Sequence, residues 1–157
     1  MLKYVDAKVV FAEVPDEVTL AINISNCPCH CKGCHSSYLA QDIGTELTFN
    51  EVRKLIKRNS GISCIALMGG DAEPDKINTL ASFIINHYNS IKVAWYSGRQ
   101  ELNNNIDLCN FDYIKLGPYK EEFGPLNSRT TNQRFYKVSG RELVDITNEF
   151  WKHETEN

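Results

Sequence analysis

The stretch Cys64-Ile65-Ala66-Leu67-Met68-Gly69-Gly70-Asp71 is an unbroken apolar run that stops abruptly at two glycines and an acid. Such a run is typical of a β-strand that is buried on both faces, as in a parallel sheet. Residues 93–96 followed by Ser97-Gly98, and residues 113–116 followed by Gly117-Pro118, repeat the arrangement. The three stretches therefore predict successive buried strands that end in glycine turns.

A first amphipathic helix is predicted after Thr48, which has the spacing of a capping box with Glu51. One face of this helix is apolar and consists of Val52, Leu55 and Ile56. Basic residues lie towards its end, at Lys54, Lys57 and Arg58. They suit the negative end of the helix dipole, and we interpret them as a solvated face.

A second helix is predicted after Pro74, with an apolar stripe formed by Ile77, Leu80, Ala81, Ile84 and Tyr88. Further strands are predicted at residues 4–12, 18–24 and 135–138. The polar stretch 119–133 is predicted to be an irregular loop. Ser139 and Glu142 have capping-box spacing again, which predicts a last helix carrying Leu143, Val144, Thr147, Phe150 and Trp151.

The repeat of strand and helix predicts an α/β fold with a mainly parallel sheet. The chain has 157 residues, so we expect a single domain, 1–157. That length is too short for a complete eight-fold βα barrel. We expect the tail, residues 153–157, to be frayed.

Composition and charge argue against several classes of protein. The net charge is −3 and the pI about 5.8, which argues against nucleic-acid binding. No apolar run is long enough to span a membrane. Asp6 comes early and no long apolar core follows Met1, so we expect no secretory signal. The expected location is the cytoplasm, where clustered cysteines are more often metal ligands or catalytic thiols than disulfides.

Four of the six cysteines fall in the stretch Asn26-Cys27-Pro28-Cys29-His30-Cys31-Lys32-Gly33-Cys34-His35. It follows the predicted strand 18–24, and ligand sites form at the carboxyl ends of strands in parallel α/β architectures. Its spacing is C-x-x-x-C-x-x-C, formed by Cys27, Cys31 and Cys34. Cys29 is only two residues from Cys27 and from Cys31, so closing one metal site with all four thiols would strain the loop.

Spacing alone leaves three kinds of site open. Three thiolates with an open fourth position suit an iron–sulfur cluster that must contact a small molecule. A structural zinc site normally closes with four ligands in two separated pairs, and no second C-x-x-C lies downstream. The third possibility is a redox-active or adventitious thiol cluster. We interpret Cys64 and Cys109 as small apolar residues.

The cysteine spacing resembles the signature of the radical S-adenosylmethionine (SAM) superfamily. Met68-Gly69-Gly70-Asp71 resembles the glycine-rich SAM-binding motif, and Trp95-Tyr96-Ser97-Gly98 resembles the turn after the next core strand. Residues 112–119 and Asn132-Gln133-Arg134 resemble the closing section of the small activating proteins of anaerobic (class III) ribonucleoside-triphosphate reductase. The resemblance covers about residues 5–140.

This resemblance implies a partial (incomplete) βα barrel with a mainly parallel sheet, of the radical SAM type. It implies that a 4Fe–4S cluster with one open iron is held by Cys27, Cys31 and Cys34. SAM would chelate the open iron, and the implied contacts to SAM are Gly33, Cys34, His35, Gly69, Gly70, Asp71 and Ser97. Asp71 is alternatively interpreted as a helix cap. No residue is assigned as a general acid or base, because bond homolysis needs none.

The activity implied is that of an oxidoreductase that activates a glycyl radical enzyme. A flavodoxin or ferredoxin-type donor reduces the cluster, and SAM is split into methionine and a 5′-deoxyadenosyl radical. That radical removes a Cα hydrogen from one glycine of the large reductase subunit. Two alternatives remain open: radical SAM chemistry on another glycyl radical enzyme or on a small molecule, and a non-catalytic zinc-binding module.

Overall fold

The structure is a computed structural model that describes residues 1–27 and 41–156, with side chains as far as residue 151. The described strands are β1 (Lys3–Val10), β2 (Thr19–Ile24), β3 (Thr45–Glu46), β4 (Cys64–Met68), β5 (Lys92–Tyr96), β6 (Tyr113–Leu116), β7 (Arg134–Ser139) and β8 (Glu142–Asp145). They form one sheet in the order β3-β1-β2-β4-β5-β6-β7-β8. The described helices are α1 (Phe49–Arg58), α2 (Pro74–His87) and the two 3-10 helices Leu108–Asn110 and Thr147–Glu156.

The sheet is mixed. Its four central strands, β2, β4, β5 and β6, are parallel to their neighbours within this group. The pairs β1–β2 and β1–β3 on one side, and β6–β7 and β7–β8 on the other, are antiparallel. The prediction of a partial βα barrel with a mainly parallel sheet, of the radical SAM type, is therefore wrong.

The barrel prediction fails because the strand–helix repeat stops after two units. α1 precedes β4 and α2 joins β4 to β5, but the connection from β5 to β6 contains only the short helix Leu108–Asn110. The asparagine run in this connection forms a local turn, in which the side chain of Asn103 accepts a hydrogen bond from the backbone N–H of Asn105 at 2.9 Å. Asparagine favours such turns over helix because its side chain competes for backbone groups.

The predicted helix after Ser139 is wrong as far as residue 145, because the chain forms a β-hairpin there, whereas Thr147, Phe150 and Trp151 do lie in a helix, the 3-10 helix Thr147–Glu156. Ser139 pairs with Glu142 across a two-residue turn, so β7 and β8 are antiparallel neighbours. Gly140, the first turn residue, has a φ of 63°. Glycine reaches this left-handed conformation without strain, and a glycine in that position is typical of tight hairpins. Residues 153–156, predicted to be frayed, fall within the 3-10 helix Thr147–Glu156.

The predictions for the two α-helices are confirmed. Thr48 is the N-cap of α1, and its side-chain oxygen accepts a hydrogen bond from the N–H of Glu51 at 3.1 Å. The Glu51 carboxylate accepts a hydrogen bond from the Tyr4 hydroxyl at 2.8 Å. In α2 the predicted stripe is buried as far as Ile84, and Tyr88 lies just past the end of the helix. In the described residues no helix is both long and apolar enough to cross a membrane.

Both helices lie on the same face of the sheet. The larger core cluster joins Val52 and Leu55 of α1 and Ile77 and Ile84 of α2 to side chains of the central strands. Right-handed crossovers between parallel strands that are added in one direction place their helices on one side. A smaller cluster covers the opposite face, where Val14 packs with Cys64, Ala66, Ala94, Tyr113 and Phe135.

Hydrogen bonds hold the segment before β2 to residues at the starts of β4 and β5. The buried Glu17 carboxylate accepts hydrogen bonds from Ser63 at 2.5 Å and from the Lys92 ammonium at 2.7 Å. The hydrogen bond to Glu17 raises the pKa of Lys92 above 10.5. The stability that this ion pair contributes is therefore complete below about pH 10.5 and is lost as the pH rises through the raised pKa.

Replacing Glu17 by Ala should lower the free energy of unfolding by about 1–3 kcal/mol, because Ser63 loses its acceptor and the Lys92 charge loses its partner. Urea denaturation at neutral pH measures the loss. Glu46→Ala, at an exposed position of β3, is the matched control and should change the free energy by less than about 0.5 kcal/mol. Equal losses in the two variants would contradict the role given to Glu17.

Candidate functional site

The carboxyl ends of the four parallel strands meet at one end of the sheet, which we call the carboxyl end. The pairing aligns Asn23 with Met68, Met68 with Tyr96, and Tyr96 with Lys115. The turns that follow these strands hold the residues predicted from sequence. Cys27 follows β2, Gly69 to Asp71 follow β4, and Ser97-Gly98 follow β5. The structure therefore brings Cys27, Gly69, Gly70, Asp71 and Ser97 to the same end of the sheet.

The Asp71 carboxylate ties the turn after β4 to the turn after β5. One oxygen accepts a hydrogen bond from the Ser97 hydroxyl at 2.5 Å, and the other accepts from the Gly98 N–H at 2.8 Å. Asp71 is only 8% exposed and Ser97 only 1%. The N-cap of α2 is Glu73, so the alternative interpretation of Asp71 as the helix cap is wrong.

Gly69 and Gly70 are needed by the fold itself. Their φ angles are 117° and 89°, a region that favours glycine. A Cβ on Gly70 would lie 2.4 Å from Cδ1 of Ile77, and one on Gly69 would lie 3.0 Å from the carbonyl oxygen of Ile24. The glycine pair lets α2 and β2 pack closely against the turn. Most backbone groups of the pair are bonded within the fold: the Gly69 N–H donates to the carbonyl oxygen of Tyr96, the Gly69 carbonyl accepts from Trp95, and the Gly70 carbonyl accepts from the N–H of Glu73.

A cleft of about 730 Å³ opens beside the Asp71–Ser97 contact. Its lining includes Asp71, Ser97, Pro74, Trp95 and residues 99–104. The volume is within the range of small-molecule sites, roughly 300–1,000 Å³. Trp95 donates its indole N–H to the carbonyl oxygen of Gly69 at 2.7 Å, which fixes the apolar floor. Cys27, Gly69 and Gly70 are not among the described residues that line this cleft.

Sequence reasoning missed Lys115, a buried cation at the carboxyl end. It is 7% exposed, and its ammonium donates hydrogen bonds to the carbonyl oxygens of Ser97 at 3.1 Å and Gly117 at 2.8 Å. It thereby joins the turns after β5 and β6. The available signal was a lysine inside the otherwise apolar strand Tyr-Ile-Lys-Leu, because a buried lysine requires hydrogen-bond partners.

The segment Asn132-Gln133-Arg134, which contributed to the family resemblance, supports the same turn. The Asn132 amide donates to the carbonyl oxygen of Pro118 at 3.0 Å, and the Gln133 amide donates to that of Gly117 at 3.4 Å. Arg134 lies 3.7 Å from Asp145 in an exposed ion pair. These contacts hold the turn after β6 against the start of β7.

The cysteine stretch leaves the sheet at Cys27, which is half-buried. Asn26 precedes it with a φ of 60°, and the Asn26 N–H donates to the carbonyl oxygen of Gln41 at 2.9 Å. The remaining predicted residues of this stretch, Cys31, Cys34, Gly33, His35 and the excluded Cys29, lie outside the described residues. Within the described part of the chain no three His, Cys, Asp or Glu side chains form a metal site.

The two cysteines outside the stretch have different environments. Cys64 is the first residue of β4 and is fully buried, at the opposite end of the strand from Gly69. Cys109 lies in the short 3-10 helix and is exposed, which does not fit its interpretation as a small apolar residue. Burial raises the pKa of the Cys64 thiol to about 12, with the nearby Glu17 carboxylate adding to the shift.

The chain matches no family model, no curated protein and no solved structure. The resemblance to radical SAM activating proteins therefore depends on the motif residues and on where the fold places them.

Asp71→Ala should lower the free energy of unfolding by about 2 kcal/mol, because the buried Ser97 hydroxyl and the partly buried Gly98 N–H lose their acceptor. Asp71→Asn keeps one acceptor oxygen and should cost less. Urea denaturation of the two variants measures the difference, with Glu121→Ala at an exposed position as control. Wild-type stability in Asp71→Ala would contradict the tie between the two turns.

The thiols should differ in reactivity. At pH 8 only about one Cys64 thiol in ten thousand is ionised, given a pKa of about 12, and the thiolate is the reactive form. We expect iodoacetamide to label Cys109 in the native protein and to label Cys64 only after denaturation. Peptide mass spectrometry of both samples checks this. Comparable labelling of Cys64 and Cys109 in the native protein would contradict the burial of β4.

Proposed function

We propose that this protein is a radical SAM activase that generates the glycyl radical of anaerobic ribonucleotide reductase. One observation carries the proposal. Cys27, the first cysteine of the C-x-x-x-C-x-x-C motif, leaves the sheet at the same end as Asp71 and Ser97, the residues that the resemblance assigns to SAM. The proposal concerns the site and its chemistry, and it does not depend on a barrel.

The donor set fits a cluster better than a closed zinc site. Cys64 begins β4 at the far end of the strand from the carboxyl end, so it is poorly placed to join Cys27 as a fourth ligand. Three thiolates, Cys27, Cys31 and Cys34, would hold a 4Fe–4S cluster and leave one iron open. When bound, the cluster supplies the electron that cleaves the sulfonium bond of SAM, with methionine as one product.

The contribution of the chain is to bind and orient SAM. Both oxygens of Asp71 accept hydrogen bonds from the turn after β5, so Asp71 acts first as a positioning residue for Ser97 and Gly98. Gly69 and Gly70 place no side chain at this turn, which would let SAM approach it closely. Gly33, Cys34 and His35 would supply the remaining contacts, next to the third thiolate. Pro74 and Trp95 contribute apolar surface to the cleft beside Asp71 and Ser97.

The partners follow from the proposed reaction. The substrate protein is the large, glycyl radical subunit of the reductase, and the reductant is a flavodoxin or ferredoxin-type protein. The negative net charge of the chain does not favour binding to nucleic acid. We propose a cytoplasmic location, where the six cysteines would stay reduced.

Anaerobic purification followed by metal analysis tests the proposal. We expect about four iron atoms per chain, as for a 4Fe–4S cluster. Cys31→Ala should lose the iron and the reductive cleavage of SAM, whereas Cys29→Ala should keep both. Reduced protein mixed with SAM and the large reductase subunit should give a glycyl radical signal in electron paramagnetic resonance.

Three results would count against it. Zinc without iron would favour a zinc-binding module. Loss of the cluster in Cys29→Ala would overturn the ligand assignment. SAM cleavage without a glycyl radical on the reductase would favour another glycyl radical enzyme or a small molecule as the substrate.

A further inference from the structure

The solvent-facing side of α1 has a concentration of positive charge. Four of its ten residues are cations, and all four are exposed: Arg53, Lys54, Lys57 and Arg58, which we call the basic face. The one acid in the helix, Glu51, accepts a hydrogen bond from Tyr4. The chain as a whole has a net charge of −3, so this face differs in sign from the average surface.

The basic face is costly to the isolated helix. Arg53 and Lys57 are four residues apart, as are Lys54 and Arg58, and like charges at this spacing destabilise a helix by a few tenths of a kcal/mol per pair. None of the four cations has an ion pair with a described residue. The acid within α1, Glu51, is three residues before Lys54, but among the described residues it forms no ion pair with any of the four cations.

Local interactions explain the presence of three of the four cations. Lys57 and Arg58 lie in the last turn, where the helix dipole favours cations. Arg53 lies 5.0 Å above the Phe83 ring and donates a hydrogen bond to the Asn50 side chain at 2.8 Å. Lys54 has no such local role in the described structure.

An exposed aromatic residue borders the basic face. Phe49 begins α1, is 43% exposed, and stacks on Phe83 with 4.3 Å between ring centroids. At 100° per residue, Phe49 lies next to Arg53, which is one turn further along the helix surface. Aromatic residues and arginine are the types enriched in protein interfaces.

The other classes of anionic partner fit less well. The apolar side of α1 is buried, since Val52 and Leu55 pack in the core, so the helix has no apolar face to insert into a lipid surface. A nucleic-acid-binding surface normally belongs to a basic protein, and this chain has a pI of about 5.8. The chemistry that remains is an acidic protein surface.

The position of α1 connects the basic face to the candidate site. Tyr4, which donates to Glu51 in the first turn of α1, pairs with Ile24, the last residue of β2. The first turn of α1 therefore lies near the carboxyl end of the sheet, close to where the cysteine stretch begins. We propose that the basic face docks an acidic one-electron donor protein, which rests on the function proposed above.

The experiment measures binding and reduction separately. Wild-type protein and the double variant Lys54→Glu/Lys57→Glu are titrated with purified flavodoxin and ferredoxin by isothermal calorimetry, at about 0.02 M and about 0.5 M salt. At low salt the charge reversal should weaken binding at least about tenfold, and at high salt the difference should disappear. Lys137→Glu, at an exposed position of β7, also reverses a lysine charge and should have less than about a twofold effect.

Cleavage of SAM is then measured with dithionite and with the reduced donor protein. The double variant should match the wild type with dithionite and lose at least about tenfold in initial rate with the donor. If the wild-type protein does not cleave SAM with dithionite, the proposed function is overturned. The docking proposal is then decided by the binding measurements alone. The docking proposal is overturned if the donors do not bind the wild type, if the double variant binds them equally well, or if α1-dependent binding is found only for anionic vesicles or RNA.

Discussion

Parallel pairing among β2, β4, β5 and β6 constrains the rest of the molecule, because parallel strands must all end on the same side and must be joined by crossovers. The two crossover helices cover one face, and the cluster around Val14 and Phe135 covers the other. Among the described residues, the turns that follow the strands cover their carboxyl ends. Asp71 and Lys115 join these turns side by side, so the candidate site is assembled from groups that also hold the central strands together.

The central strands and both α-helices could be predicted from the sequence because their signals are local. An unbroken apolar run marks β4, and the Thr48–Glu51 spacing marks the start of α1. The hairpin at Gly140 could not be separated from a helix start, since Ser139 and Glu142 satisfy the capping-box pattern in either case. Strand pairing decides the outcome there, and pairing depends on β6, which lies far away in sequence. The same limit produced the wrong barrel, because antiparallel edge strands have no local signature of direction.

For the candidate site, the sequence indicated some of the residues but not the contacts between them. The family resemblance singled out Asp71 and Ser97, and the fold places them in contact. Spacing did not reveal that their partners are each other, because that contact depends on the register between β4 and β5. Lys115 was missed since a lysine in a strand is usually solvent-facing. The shared carboxyl end of the parallel strands therefore explains where the candidate site lies. The chemistry proposed for the site depends on the cysteine motif.

The hydrogen bond between Asn26 and Gln41 closes the chain on itself at the two ends of the segment that contains the motif. On the outer sides, Ser25 bonds to Lys3 and Leu47 bonds to Leu2, so both flanks are fixed to β1. Both ends of the segment are thus held by residues of the sheet and its borders. All three contacts join backbone groups outside residues 28–40, so they do not depend on which side chains the segment carries. Substitutions within the segment would leave both of its ends attached to the same strands.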